Sequence, residues 1–546
     1  MRIRTPAADL PTSIDLPERP RLGGRVRVHP PIETGQPWFI QRGDSGYFRV
    51  STAVGRIAAE MDGESTVSDI AARLGSPLDI TAVTAVAVNL AEKRMLDDGQ
   101  PVRRRRRLMF VPPLTVQLTL LDPQHLMERL DRLIAVIARS RPRMSVPVLL
   151  AVALVVLVVQ ADSVRQALSQ PLPVPIYIGI LLGTFGTTVI HEIAHGATLH
   201  RFGGRPNRLG VMLLYGSPAF FCDVSDGWRL PYARQRVSVA LAGVHSQAVI
   251  AAVAALVALP ATGWWEAGLL TFSIVTLVAA AVNLLPFVKF DGYLALMSHL
   301  DEPHLRTRAI ADARVVLARF LFGGQAYRRL LPHRRWAPWF GLAAMVTPLI
   351  LVGNALSLWS GSLAGFGAGG SVLVAGVVLA AAWFPVRGSS RMLKDARAAG
   401  ARPVRIAVVS AGLLAGSVVA LTQVSVPLTI DGGWAVTDGN VEVFLPAHVD
   451  STLVSPGAHV ILQRSGVVLR PVVGSAVIAD PPPTTGVAAV SVMSPVDLDG
   501  VTVPVTVFPA GQAHDGLTGS GVARIQGPQL PLGRWIGTTY LGLSAG

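Results

Sequence analysis

Long apolar segments are the feature that most limits what this 546-residue chain can fold into. About 20 mainly apolar residues are needed to cross the ~30 Å hydrocarbon core of a membrane, and most of the segments come near that length. The sequence therefore predicts an α-helical multi-pass membrane core with about seven spans, of which the first and sixth are short: residues 146–160, 174–200, 234–260, 269–290, 336–359, 371–386 and 406–421. With 51% hydrophobic and only 15% charged residues, the composition does not fit an ordinary soluble enzyme.

The net charge of +14 is concentrated at the ends of these segments. Arginines are concentrated at residues 103–107 and 139–143, before the first span. The next loop, residues 161–173, has only two charged residues, Asp162 and Arg165. By the positive-inside bias the N-terminus is expected in the cytoplasm, and an odd number of spans places the C-terminus outside. An arginine run beside a membrane segment is typical of a topology determinant, so no nucleic-acid partner is expected.

The polar ends of the chain predict two further domains. Before the first span, alternating strands near residues 25–29, 38–41 and 47–50, with a turn at 43–46, precede helices opened by Ser51 and Thr66 and a third near residues 80–96. After the last span, short Val- and Thr-rich stretches predict a β-rich domain, and the single Cys222 excludes an intrachain disulfide. The predicted organisation is an α+β domain at 1–108, a connector at 109–143, the membrane domain at 144–424 and a β-rich extracytoplasmic domain at 425–546.

The motif His191-Glu192-Ile193-Ala194-His195 lies inside the second apolar segment. On a helix, residues four apart share one face about 6 Å apart along the axis, so both imidazoles can reach one Zn²⁺ while Glu192 stands beside the metal-bound water. On a soluble helix, a chance match to this motif would place its charged side chains on the surface, with no role in metal binding. Within a membrane span each ionisable group costs on the order of 3 kcal/mol and is usually functional, which favours a metal site.

Zinc needs a third protein ligand. His200 lies about 140° around the helix from His195, whereas Asp291 ends the fourth apolar segment in the stretch Asn283-Leu-Leu-Pro-Phe-Val-Lys-Phe-Asp291-Gly292. If the second and fourth spans both enter the membrane from outside, His191 lies ~25 Å along the second and Asp291 ~33 Å along the fourth. Helix tilt and a break at Pro286 can account for this difference of roughly 8 Å in depth. Asp291 is therefore the expected third ligand, on the cytoplasmic side.

The pairing of HExxH with a downstream NxxPxxxxDG resembles the site-2 protease family of intramembrane metalloproteases. The resemblance implies Zn²⁺ held by His191, His195 and Asp291, Glu192 as general base and Asn283 as a group that positions the substrate. The chain departs from the family pattern at residues 242–247, where His245 either replaces an asparagine as polar partner or is a hydrogen-bonded helix histidine. We favour the interpretation of His245 as a hydrogen-bonded helix histidine.

Residues 209–230 contain an apolar piece too short to span, bounded by Gly and Pro. A re-entrant or edge-strand element that holds a substrate strand extended fits this pattern. Asp223, Asp226 and Trp228 follow it. For Asp223 a structural or gating role is expected rather than metal ligation.

The N-terminal order of three strands and three helices resembles the PqqD-like domain, a winged-helix-like fold that recognises leader peptides of ribosomal peptide natural products. The resemblance implies that a leader adds as a strand beside Tyr47, Phe48 and Val50 and lies against the helix carrying Val83 and Leu90. A winged-helix core without a ligand is the alternative.

Together the two resemblances imply a zinc metalloendopeptidase of the bacterial inner membrane that removes the leader from a precursor peptide, as in daptide-type clusters. The expected partners are the precursor peptide, the lipid bilayer and export or modification enzymes of the same pathway. Two alternatives remain: regulated proteolysis of a membrane anti-sigma-type protein, and a non-catalytic leader-binding or export accessory.

Overall fold

The computed structural model describes residues 16–541 except for the gaps 32–36, 44–45, 98–106, 112–114, 140–144, 215–216, 365–367, 438–439, 448, 499 and 513–516. Most of the predicted arginine run, Arg141 and Arg143, and the turn residues Asp44 and Ser45 lie outside the described residues.

The N-terminal domain has the predicted order of three strands and three helices. Strands β1 (Val26–His29), β2 (Trp38–Arg42) and β3 (Gly46–Val50) form an antiparallel sheet in that order, followed by helices α1 (Thr52–Ala59), α2 (Val67–Leu74) and α3 (Ile80–Glu92). Ser51 caps α1 by accepting from the Val54 amide, and Thr66 forms a reciprocal capping box with Asp69. These caps explain why the two helices begin where the sequence predicts.

The predicted connector contains two strands and a helix. Strands β4 (Leu108–Val111) and β5 (Thr115–Leu121) precede helix α4 (Gln124–Arg139), and β5 pairs with a strand from the membrane domain. That strand, β7 (Leu209–Leu214), forms a hairpin with β8 (Ser217–Cys222), which gives a sheet of order β4-β5-β7-β8. The short apolar piece is thus an edge-strand element, with β8 outermost among the described strands.

Among the described residues, six helices are long and apolar enough to cross a membrane, or seven if a pair bent by 74° counts as one span. The bent pair is α5 (Ser145–Val159) with α6 (Ala161–Ser169). The other membrane-domain elements are β6 (Leu172–Pro173), α7 (Val174–Arg201), α8 (Ala233–Val257), α9 (Gly263–Asn283), α10 (Asp291–His299), α11 (Leu305–Phe322), α12 (Ala337–Ala364), α13 (Ala368–Ala398) and α14 (Pro403–Gln423).

Two predicted spans have different ends in the structure. The fourth stops as a helix at Asn283 rather than at residue 290, because the residue before a proline disfavours helical geometry and Pro286 has no amide hydrogen to donate. The chain then turns and starts α10 at Asp291. The sixth, predicted as short, continues as α13 to Ala398 through residues expected in a basic loop.

The C-terminal domain is β-rich, as predicted. Its strands are β9 (Ser425–Thr437), β10 (Asn440–Pro446), β11 (His459–Gln463), β12 (Val472–Ile478), β13 (Thr484–Ala489), β14 (Val496–Asp497), β15 (Thr502–Gln512) and β16 (Ser520–Pro531), followed by helix α15 (Leu532–Leu541). The sheet runs β10-β9-β16-β11-β12-β15-β13, and pairing of β10 with β15 closes six of these strands into a barrel. Trp434 fills its core and donates its indole N–H to the Gln463 carbonyl at 2.9 Å.

The barrel contacts the loop after the first span. Strand β14 pairs in parallel with β6, and the Leu172 amide donates to the Pro495 carbonyl at 2.9 Å. The contact therefore joins two segments for which the charge pattern predicts the same side of the membrane.

Replacing Trp434 with alanine should destabilise the barrel by ~3–5 kcal/mol, since a large buried side chain and its hydrogen bond are both removed. Hydrogen–deuterium exchange should accelerate in β9 and β11 of the full chain. Trp339→Ala, on an exposed surface of α12, is the matched control. Equal exchange in both variants would show that Trp434 does not hold the barrel together.

Candidate metal centre

Helix α7 presents His191 and His195 toward the interior of the helix bundle. The two rings lie one helical turn apart and are 4% and 5% exposed, so neither histidine is a surface group. Helix α8 packs against this face, and α10 brings Asp291 to it from its own first turn. Three separate elements thus converge on one buried point.

The three side chains predicted as ligands lie together. The Nε2 atoms of His191 and His195 are 3.1 Å apart, and the Asp291 carboxylate oxygens lie 3.0 Å from His191 Nε2 and 3.3 Å from His195 Nε2. In a tetrahedral zinc site with bonds of about 2.0–2.2 Å, neighbouring ligand atoms are separated by roughly 3.3 Å. The spacing matches a set of donors around one ion.

Hydrogen bonds on the far side of each ring determine which nitrogen faces the site. His191 Nδ1 contacts Gln247 Oε1 at 3.0 Å, and His195 Nδ1 contacts the Val239 carbonyl at 2.7 Å. Both partners are acceptors, so Nδ1 of each ring carries the hydrogen and Nε2 presents its lone pair. This is the tautomer that a metal ligand requires.

The arrangement is electrostatically incomplete without a cation. Two Nε2 lone pairs face each other and a carboxylate in a buried space, and Asp291 Oδ2 accepts no hydrogen bond from any described residue. Buried acceptors placed together in this way repel one another unless a positive charge lies between them. The donor set of two imidazoles and one carboxylate suits Zn²⁺ and leaves its fourth position for water.

Glu192 lies beside this cluster and outside it. Its Oε1 is 3.9 Å from His191 Nε2, and the carboxylate, 14% exposed, faces the backbone of Cys222 at the end of β8. Glu192 is therefore adjacent both to the three donor side chains and to the end of β8.

Two glycines make the close packing of the site possible. A Cβ added to Gly243 on α8 would lie 2.5 Å from the His191 ring, so any other residue at this position would clash with the ring. A Cβ on Gly292 would lie 1.9 Å from the Leu284 carbonyl, which explains the glycine that follows Asp291. The sequence alone predicts neither role, because each depends on how closely separate segments pack.

Helix α8 supplies Gln247 as a polar partner of His191. Its Oε1 also lies 3.4 Å from Asn283 Nδ2, so Asn283 joins the site through Gln247. Gln247 lies two residues beyond His245 on α8 and is buried. A role for His245 as a polar partner stays a prediction.

Asp223 and His200 lie outside the ligand cluster formed by the described residues. Asp223 forms a buried ion pair with Arg208 at 3.0 Å. The Asp223 amide also donates a hydrogen bond to the Arg208 carbonyl at the base of the β7–β8 hairpin. This agrees with the structural role expected for Asp223.

The predicted leader-binding surface is only partly available. Val50, Val83 and Leu90 belong to the domain core, and the last two are fully buried. Their assignment as peptide contacts is corrected, because helical periodicity marks a buried face without showing what covers it. Phe48 packs against the same core, whereas the Tyr47 hydroxyl donates to Asp226 Oδ1 at 2.8 Å. Burial and the neighbouring Asp226 carboxylate raise the pKa of Tyr47, which keeps the hydroxyl protonated as a donor.

Replacing Gln247 with leucine should weaken zinc binding by about 10–100-fold, because the acceptor that orients His191 is lost while the side-chain volume is kept. Competition with a chromophoric chelator on purified protein measures the affinity. Gln235→Leu, at the exposed start of the same helix, is the matched control. Equal affinities for the two variants would remove Gln247 from the site.

No protein-family model, curated protein or solved structure matches this chain. The resemblances noted in the sequence therefore remain proposals. A function can be inferred only from the arrangement of the side chains themselves, those of His191, His195, Asp291 and Glu192.

Proposed function

We propose that the chain is an intramembrane zinc metalloendopeptidase. The observation that carries the proposal is the buried cluster of two Nε2 lone pairs and one carboxylate, with Glu192 beside it. Bound Zn²⁺ would supply a Lewis acid and lower the pKa of a bound water. The residues of the chain would position the reactants and move the proton.

Glu192 is the group placed to accept that proton. Its carboxylate is close to the cluster but outside bonding distance of the histidines, as a general base requires. The Nδ1 hydrogens of His191 and His195 are donated to Gln247 Oε1 and the Val239 carbonyl, so neither is free to take part in the reaction. Glu192 can therefore hold the proton from water and deliver it to the leaving amine.

An apolar groove that could hold a substrate begins one helical turn before Glu192 on α7. Thr184 and Thr188 precede Glu192 on α7 at four-residue intervals and line a cavity of about 600 Å³. Its other wall is apolar and comes from β5, β7 and β8, including Val116, Val211 and Phe220. An extended apolar peptide lying there would pass β8 and present a bond to Glu192. This supports a peptide substrate.

Contacts of the N-terminal domain support delivery by that domain. Tyr47 bonds to Asp226, and Arg49 pairs with Asp301 at 2.9 Å. Asp226 follows the end of β8 by four residues, at most roughly 14 Å of chain. Asp301 lies two residues beyond α10, the helix that begins with Asp291.

Asp301 also pairs with Arg236 of α8 at 2.8 Å, so the domain is linked to α8 as well as to the segments that follow β8 and α10. A peptide captured by the domain would be close to the groove. On this basis we propose that the substrate is a ribosomally made precursor and the reaction is removal of its leader. The site would lie near the cytoplasmic face of a bacterial inner membrane, with the barrel outside.

Glu192→Gln should keep zinc and lose cleavage by at least ~10²-fold, because the general base is removed without touching a ligand. The measurement is mass spectrometry of candidate precursor peptides encoded beside the gene and co-expressed with each variant. Glu266→Gln, at the exposed start of α9, is the matched control. Equal cleavage by wild type and Glu192→Gln would refute the catalytic assignment.

The double variant Tyr47→Phe, Arg49→Gln should loosen β8 and α10 together. Cys222, the only cysteine, ends β8 beside Glu192 and reports this loosening directly. Its modification by a maleimide in purified full-length protein should be several-fold faster than in wild type. Arg42→Gln, which affects a contact to the Lys93 carbonyl inside the N-terminal domain, should react at the wild-type rate. An unchanged rate in the double variant would show that the domain does not support the site.

A further inference from the structure

Helix α15, which follows the last strand of the barrel, packs back against the membrane domain. It starts beside the end of α14, where the Leu532 amide donates to the Val424 carbonyl at 2.8 Å. A Cβ on Gly533 would lie 3.2 Å from the Leu421 carbonyl, so the two helices are in close contact there. Helix α15 also contacts α12 and α13. It therefore packs among three helices of the membrane domain.

Two aromatic side chains of α15 join the barrel to a buried apolar cluster of the membrane domain. Trp535 packs against the barrel core, and its ring centre lies 5.8 Å from that of Tyr540, edge to face at 89°. Tyr540 in turn packs against the cluster, whereas its hydroxyl forms no hydrogen bond with any described residue. The contact is therefore made by the ring. The buried members of the cluster are Val288, Val352, Leu356 and Val374.

One member of this cluster, Val288, belongs to the turn that presents Asp291. Residues 284–290 connect α9 to α10, and Val288 within them is completely buried. Leu285 and Phe290 of the same turn also pack against the cluster. Phe290 is the N-cap residue of α10, and Asp291 is the first residue of that helix. The position of the Asp291 carboxylate thus depends on how this turn is packed.

Side-chain packing is a main support of the turn. Arg306 Nε donates to the Phe287 carbonyl at 3.0 Å, and the next residue, Val288, is surrounded by the cluster. Protein interiors are close-packed, so a missing ring leaves a cavity into which neighbouring side chains and backbone relax. Loss of the Tyr540 ring would therefore loosen the packing against which the turn is held.

We propose that Tyr540 is a positioning residue for the metal centre. Its ring completes the packing around the turn at residues 284–290, and the packed turn holds the Asp291 carboxylate against the two histidines. Trp535 ties this ring to the barrel core, so the folded barrel supports the geometry of a distant site. The positioning role rests on the proposed zinc site, whereas the bracing of the turn is a property of the metal-free chain.

Hydrogen–deuterium exchange of metal-free, full-length protein tests the bracing. In Tyr540→Ala, peptides covering residues 284–294 should exchange several-fold faster than in wild type, because the turn opens more readily. Tyr540→Phe keeps the ring, so it is the matched control and should exchange at the wild-type rate. Equal rates in all three proteins, or equal acceleration in both variants, would overturn the role of the ring. Acceleration as large in β2 and β3 as in the turn would also overturn it, because the whole chain would then be loosened.

Zinc affinity tests whether the ring acts through Asp291. In competition with a chromophoric chelator, Tyr540→Ala should bind zinc about 10-fold more weakly than wild type, and Tyr540→Phe should bind it as wild type does. Asp291→Ala keeps both histidine ligands, and in that background Tyr540→Ala should change the affinity no further, because the ligand through which it acts is gone.

An equal loss of affinity in both backgrounds would overturn the positioning role. Wild-type protein that binds no zinc would refute the metal centre and the positioning role together. The exchange rates of residues 284–294 separately decide whether the Tyr540 ring braces the turn, since they are measured without metal.

Discussion

The structure depends on the close packing of three buried polar side chains, His191, His195 and Asp291. His191 and His195 present unprotonated nitrogens to each other at 3.1 Å, and the Asp291 carboxylate joins them at 3.0 and 3.3 Å. In water such a group would separate. Here the three are held by helix packing and by hydrogen bonds on the opposite side of each ring. A bundle that confines these three side chains in an apolar interior could hold a metal ion among them, and the proposed function depends on that ion.

The rest of the molecule is arranged around that confinement. Helix α9 ends early, and the turn at Pro286 lets α10 start with Asp291. Gly243 lets α8 approach His191 closely enough for Gln247 to orient it. The β7–β8 hairpin places a strand end next to Glu192, and the N-terminal domain holds that hairpin and α10 through acidic residues. Domains distant in sequence therefore meet at one centre.

Much of the centre could be predicted because its geometry is local or set by the bilayer. A four-residue spacing places two histidines on one helical face, and span depth selects Asp291. Gln247 and Gly243 could not be predicted, since their roles arise from how α7 and α8 pack against each other. The pairing of β5 with β7 joins segments far apart in the chain, which no local pattern reports.

The same limit explains the corrected surface of the N-terminal domain. Val83 and Leu90 recur at helical spacing, which correctly indicates a buried face, but the domain's own sheet and helices cover it. Tyr47 and Arg49 alternate with the core residues of β3 and contact the membrane domain instead. Strand alternation alone indicates two faces without naming the partner of either.

X-ray absorption at the zinc edge, on purified Glu192→Gln protein, would show whether the cluster holds a metal ion. We expect one tightly held zinc per chain with two imidazole nitrogens at about 2.0–2.1 Å and oxygen ligands at about 2.0–2.2 Å. Asp291→Asn should change the oxygen contribution and leave both imidazoles. A protein that binds no zinc, or whose zinc has no imidazole ligands, would refute the proposed metal centre.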